Sequence, residues 1–269
     1  MRNTGCDLPS IDELGRDLLI VPVWRRAFSL VTPFVLVALF FALAAQGHWV
    51  AALTCPVLLS FLTYGSISHD LVHRTLGLPR WLNEIMLSLI ELIAFRSGHA
   101  YRAVHLHHHA AFPADDDIEG AAARMPLWRA LVEGIGLQAR LWFFAMRRPG
   151  SHRRWAAAEC AVTTLLFAGC IAAVPMTIAP LAYALLMIAG SWIFPVITAY
   201  IPHDASGPTD LMQTRLFRGK VLSWLAMEHL YHLEHHLYPA VPHHNWPALA
   251  TRLDPLFDRA GLRPVKLLF

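Results

Sequence analysis

Four stretches of the chain are long, apolar and almost free of charge: residues 27–46, 49–67, 155–174 and 178–201. Each is close to the roughly 20 residues that carry a helix across a hydrocarbon core. Glu159, near the start of the third, is the one ionised side chain within them. The turn Gln46-Gly47-His48 separates the first pair, and Val174-Pro175-Met176-Thr177 separates the second. Pro33, Pro56, Pro180 and Pro195 fall inside the runs, and membrane helices tolerate such residues. Ala42-Leu43-Ala44 resembles a signal-peptidase site, but the run is too long for a leader and a second comes at once, so it reads as an anchor. The pattern predicts an all-α integral membrane protein with four transmembrane helices in two hairpins.

Between the hairpins the pattern changes. Residues 81–95 are apolar but carry Asn83, Glu84 and Glu91, so a segment lying in or dipping into the interface is expected. Residues 127–146 place Leu127, Leu131, Ile135, Leu141 and Phe144 at helical spacing with Arg129 and Arg140 between them, an amphipathic surface helix near headgroups. For the next arginines, Arg147, Arg148, Arg153 and Arg154, a solvated juxtamembrane face is the simpler reading.

Charge orients this arrangement. All 22 Lys and Arg lie in residues 1–26, 68–154 and 202–269, and none lies in the hairpins. The positive-inside rule then puts both termini and the central segment in the cytoplasm. The expected organisation is one domain over 1–269, with hairpins at about 27–67 and 155–201 and a cytoplasmic cap built from 68–154 and 202–269. A cysteine at Gly47 should then label from outside intact cells, and one at Ala122 only after lysis.

Composition narrows the function. With 56% apolar and 15% charged residues, the chain is neither disordered nor an ordinary soluble domain. Four scattered cysteines, with no C-x-x-C, argue against a disulfide scaffold or a thiolate zinc knuckle. A net charge of +3 gives no reason to expect nucleic acid.

The unusual residue is histidine. Ten of the sixteen fall into three clusters: His69 and His73; His105, His107, His108 and His109; and His229, His232, His235 and His236. On a helix, positions i, i+3 and i+4 share a face, so His69 and His73 can converge on one metal, and 105/108/109 and 232/235/236 each share a face. His203, beside Asp204 at the end of the fourth run, makes nine converging imidazoles. One zinc takes three or four ligands, whereas nine suffice for two ions. There is no Glu-x-x-His of the soluble di-iron bundles and no H-E-x-x-H of a zinc protease. A histidine-rich di-iron site fits best. Imidazole ligands usually donate their second N–H to a carboxylate, and Asp70, Asp115, Asp116, Asp117, Asp204, Glu228 and Glu234 are placed to accept. His107, at i+2 from His105, points off the shared face, and His107→Ala should keep substantial activity. His99, His243 and His244 read as surface or interface histidines, and His48 and His152 receive no metal role.

These clusters resemble the three histidine boxes of the membrane fatty acid desaturase and hydroxylase superfamily, in order and at suitable separations. The run from His232 to Pro242 is similar to the family's third box with its trailing Y-P-x-x-P, and His203, 29 residues before His232, is similar to an additional iron-ligand histidine. The resemblance covers roughly residues 40–250. It implies two irons per chain, O2 as co-substrate and an external electron donor, a ferredoxin or a cytochrome b5-like protein with its reductase. The box sequence His105 to His109 trailed by Asp115-Asp116-Asp117 also looks like carotenoid ketolases and hydroxylases. His229 departs from the family pattern and is either an extra ligand or a second-layer group. The expected activity is desaturation or hydroxylation of a lipid acyl chain drawn from the bilayer. A carotenoid ring hydroxylase or ketolase is the alternative, and a non-catalytic membrane metal- or heme-binding protein the distant one.

Overall fold

The computed structural model describes residues 7–219 and 229–266. A short helix α1 (Ile11–Leu14), closed by a Ser10–Glu13 capping box, leads to the long α2 (Val23–Ala45). Gly47, at φ +78, lets the chain reverse. It returns as α3 (Trp49–Leu62), passes through a π-helical turn at Thr63–Ile67 and continues as α4 (Ser68–His73). Next come α5 (Arg80–Ile93) and α6 (Gly98–Ala111), then α7 (Leu127–Ile135) and α8 (Leu137–Arg147), then α9 (Ser151–Ala172) and α10 (Ala179–Gly190). A second π turn, Val196–Tyr200, extends α10. α11 (His232–Leu237) and α12 (Trp246–Arg259) complete the helices, and a two-residue parallel pair joins β1 (Phe217–Arg218) to β2 (Val265–Lys266).

Four helical rods are long and apolar enough to cross a membrane: Arg16–Ala45, Trp49–His73, Ser151–Ala172 and Ala179–Tyr200. α2 packs along α3, and α10 touches both α3 and α9. Phe40, Ala52, Leu59, Tyr183 and Met187 form the core between them. The outer faces carry exposed apolar side chains, among them Val31, Val35, Leu53, Leu165 and Ile188, as lipid contact requires. Trp24, Trp81 and Trp128 are also exposed, the residue type that collects at a membrane interface.

One sequence expectation changes and another gains detail. Arg80–Ile93 forms a helix whose polar side chains point into the protein, with Trp81, Ile85 and Leu89 exposed on its other face: Asn83 and Glu91 are buried, and Asn83 Nδ2 donates to the Leu71 carbonyl at 2.8 Å. Residues 127–146 are two helices, broken at Gly136. At Gly134 a Cβ would sit 1.8 Å from the Trp192 carbonyl oxygen, so a glycine is what lets α7 approach the end of α10. Ala122 is 3% exposed and therefore a poor labelling site, unlike the fully exposed Asp115 nearby.

Candidate metal centre

Both second helices of the spanning pairs end in a π turn directly before a histidine of interest. The turn at 63–67 precedes His69, and that at 196–200 precedes His203. A π turn inserts one residue and so rotates the rest of its helix, and such turns recur at functional sites. α6 supplies His105, His108 and His109 from one face, and α11 supplies His232, His235 and His236. Arg102 fixes the first of these helices: its guanidinium donates to the Leu71 carbonyl at 2.7 Å and the Val72 carbonyl at 3.2 Å, at the negative end of α4.

The nine converging histidines fall into two groups. His69, His73, His105, His109 and His235 form one, and His108, His203, His232 and His236 the other. The Nε2 atoms face inward. In the first group the separations are 2.9 Å for 69–235, 3.0 Å for 73–105, 3.1 Å for 105–109 and 2.7 Å for 109–235. In the second, 108–203, 203–236 and 232–236 are all 3.1 Å apart. The groups adjoin, with the His109 and His236 rings 4.4 Å apart.

The carboxylates decide what these short distances mean. His105 Nδ1 lies 3.0 Å from both oxygens of Glu119, and His108 Nδ1 lies 2.8 Å from Asp117 Oδ2. A neutral imidazole has one N–H, so the carboxylates take it and leave Nε2 as a bare lone pair. Any Nε2 has one N–H or one lone pair, and His105, His109, His203, His235 and His236 each meet two neighbouring Nε2 atoms at about 3 Å, which hydrogen bonding cannot satisfy and a cation between them can. For metal–nitrogen bonds of roughly 2.1 Å, ligands at right angles are separated by about 3 Å. The donor set therefore fits one metal ion in each group.

Electrostatics agrees. Burial, and then the neighbouring imidazoles, hold His109, His203, His232, His235 and His236 well below the ordinary histidine range, in the neutral form that ligates. Burial also works to lower His108, but its bond to Asp117 and the charges of Glu119 and Asp117 outweigh that and raise it.

The other expected residues go elsewhere. Asp70 accepts from the His243 ring at 2.6 Å and its amide at 3.0 Å, not from a clustered imidazole. Asp116 pairs with His107, Nε2 to Oδ2 2.9 Å, outside both groups. Asp204 turns outward to Ser206. Glu234 lies 2.6 Å from Arg218. Glu228 lies outside the described residues. His229 joins neither group: its ring rests on Gly65 in the first π turn, where a Cβ would overlap it, with Nε2 3.4 Å from Ser66 Oγ.

His99 and His243 are not surface residues. His99 is 2% exposed and lies between Glu84 at 2.8 Å and Glu159 at 2.7 Å, stacked on Trp155. Together with Asp70, His243 ties the segment after the third cluster to the helix that bears the first. His244 bonds Ser29 Oγ at 3.2 Å. Sequence reasoning missed Glu119, whose one signal was its place in an acidic run just after His109.

Beside the centre lies an apolar cavity of about 290 Å³ between α3 and α10, lined by Pro56, Phe61, Tyr64, Leu186, Phe194 and His229 among others. The Tyr64 ring stacks on Phe194 at 4.0 Å and on Tyr101 at 4.4 Å, and Tyr101 lies 5.4 Å from the His105 ring.

Four spanning-length helices, two inward-facing imidazole groups and an apolar cavity linked to them through the Tyr64 and Tyr101 rings describe a membrane protein able to hold metal. The family model for fatty acid desaturases matches residues 47–266, and the chain belongs to that family. It is thereby an oxidoreductase of the iron-binding, histidine-rich kind. No curated protein matches the chain.

Proposed function

We propose that this protein is an O2-dependent di-iron oxidoreductase that desaturates or hydroxylates a lipid acyl chain, with one iron in each histidine group. The observation that carries the reading is the pair of convergent Nε2 sets next to an apolar cavity. Bound iron would supply the O2-derived oxidant needed to remove hydrogen from an unactivated C–H bond, which no side-chain acid or base achieves.

The chain's own residues do the rest. Asp117 and Glu119 hold two imidazoles in the tautomer that presents Nε2. The cavity walls exclude water and hold an acyl chain by contact alone. Which carbon reacts depends on how the chain is seated, since small displacements decide reactivity. Electrons come from a separate carrier, a ferredoxin or a cytochrome b5-like protein with its reductase. The charge asymmetry supports a cytoplasmic histidine end, where such a carrier can reach it.

The test combines metal analysis with product profiling. Purified protein should contain two irons per chain, and expression in suitable hosts should change the fatty-acid profile in an O2-dependent way. Altered pigments with unchanged acyl chains would assign it to carotenoid rings instead. Iron-free protein after reconstitution would sink the reading.

A further inference from the structure

A second, polar pocket of about 520 Å³ shares no lining residue with the apolar cavity. α6 forms one wall with Leu106, His109 and Ala110, α11 another with His236 and Leu237, and Asp210, Gln213 and Thr214 a third. The pocket thus reaches one imidazole of each group. His109 and His236 are half-buried, as are His73 and His232 outside the pocket, whereas His105, His108, His203 and His235 are at most 2% exposed.

The third wall is fixed in place. The Asp204 amide donates to the Gln213 carbonyl at 2.8 Å and the Arg215 amide to the Pro202 carbonyl at 2.7 Å, and His203 and Thr214 form a β-bridge. The segment carrying Asp210 is therefore tied to a ligand of the four-histidine group.

A hydrated divalent cation has to reach Nε2 atoms that point inward. The apolar cavity opposes it, because an ion stripped of water among carbon atoms carries a prohibitive desolvation cost. The polar pocket offers a carboxylate, an amide and a hydroxyl, oxygen groups that can stand in for waters of a hydrated ion on its way to the imidazoles. We infer that this pocket is the route by which metal ions load both histidine groups, and that Asp210 holds the incoming ion first. The inference rests on the metal-centre reading above.

Co2+ is a suitable probe, since its absorption reports imidazole coordination without turnover. Full-length protein in detergent, stripped of metal, is mixed with Co2+ and followed by stopped-flow absorbance. Loss of the pocket charge in Asp210→Asn should slow uptake about fivefold, the scale of one charge interaction near water. Leu106→Trp, which narrows the rim from an exposed helix position, should slow it at least tenfold, while Leu106→Ala should not slow it. All three should reach the wild-type end point of two ions. Gly190→Leu, which fills the apolar cavity, should leave the uptake rate unchanged.

Unchanged rates in Asp210→Asn and Leu106→Trp, or equal slowing by Gly190→Leu, would overturn the route while leaving a two-ion centre standing. A wild-type end point without bound Co2+ would overturn the centre itself. If Leu106→Trp fails to reach the end point, Asp210→Asn against Leu106→Ala decides.

Discussion

At the scale of single residues, the imidazoles are set apart by what their second nitrogen does. His105 and His108 are held by buried carboxylates, and His107, between them in sequence, is turned to the half-exposed Asp116 and Arg148. His105→Ala and His235→Ala should each abolish turnover and lower bound iron from two per chain to about one, whereas His107→Ala should keep substantial activity. Full activity in either of the first two, measured with iron content, would contradict the assignment. Glu119→Gln and Asp117→Asn leave every ligand in place but weaken its orientation, so metal affinity in each should fall roughly 10- to 100-fold. Titration against a competing chelator measures this.

Glu234 makes a separate prediction. Burial raises its carboxyl to about 7, with Arg218 pulling the other way. Between about pH 4.5 and 7 the folded protein therefore holds a proton that the unfolded chain releases, and this contribution to stability is lost as pH rises through that window. At about 1.4 kcal/mol per unit over the window from 4.5 to about 7, the effect is at most about 3.5 kcal/mol. Relative to Glu234→Gln, the wild-type protein should lose thermal stability from pH 5 to pH 8. A constant difference in Tm across that range would count against it.

At the scale of elements, the spans and the histidine faces were legible because each rests on local periodicity. The runs at 27–46 and 49–67 correspond to rods at Arg16–Ala45 and Trp49–His73. The i, i+3, i+4 rule anticipated which side chains of 105–109 and 232–236 share a face. The partners were less legible, because they depend on how loops return. Asp117, expected from the acidic run after the second cluster, does hold His108, but Glu119 reaches α6 only after the chain doubles back past Phe112, and His243 reaches Asp70 across 173 positions of sequence. Spacing encodes neither return. The π turns left no mark in the apolar pattern, and the break at Gly136 was hidden by continuous amphipathicity. Close approach at Gly134 yields a test: Gly134→Ala must push α7 away from the Trp192 carbonyl, at a cost of about 1–3 kcal/mol. An unchanged Tm in detergent would show that the helices can shift freely.

At the scale of the whole molecule, the distribution of 22 basic residues gives a sidedness that can be measured. In a background without the native cysteines, Gly47→Cys should react with an impermeant thiol reagent from outside intact cells. Asp115→Cys, fully exposed at the other end, should react only after lysis. Labelling of Asp115→Cys from outside would invert the topology and remove the route for soluble electron carriers.

The two histidine groups also set an order of events in the making of the protein. Each draws ligands from segments far apart in the chain: the first needs His69 and His235, the second His108 and His236. At synthesis rates of roughly 5–20 residues per second, the last of these emerges about 10–30 s after His69, when all four apolar rods already precede it. Neither centre can therefore be completed before all four apolar rods have been made. Metal has to arrive at a protein whose membrane helices are already synthesised, so maturation is a step with its own rate, and a cell short of iron would accumulate inserted but inactive enzyme.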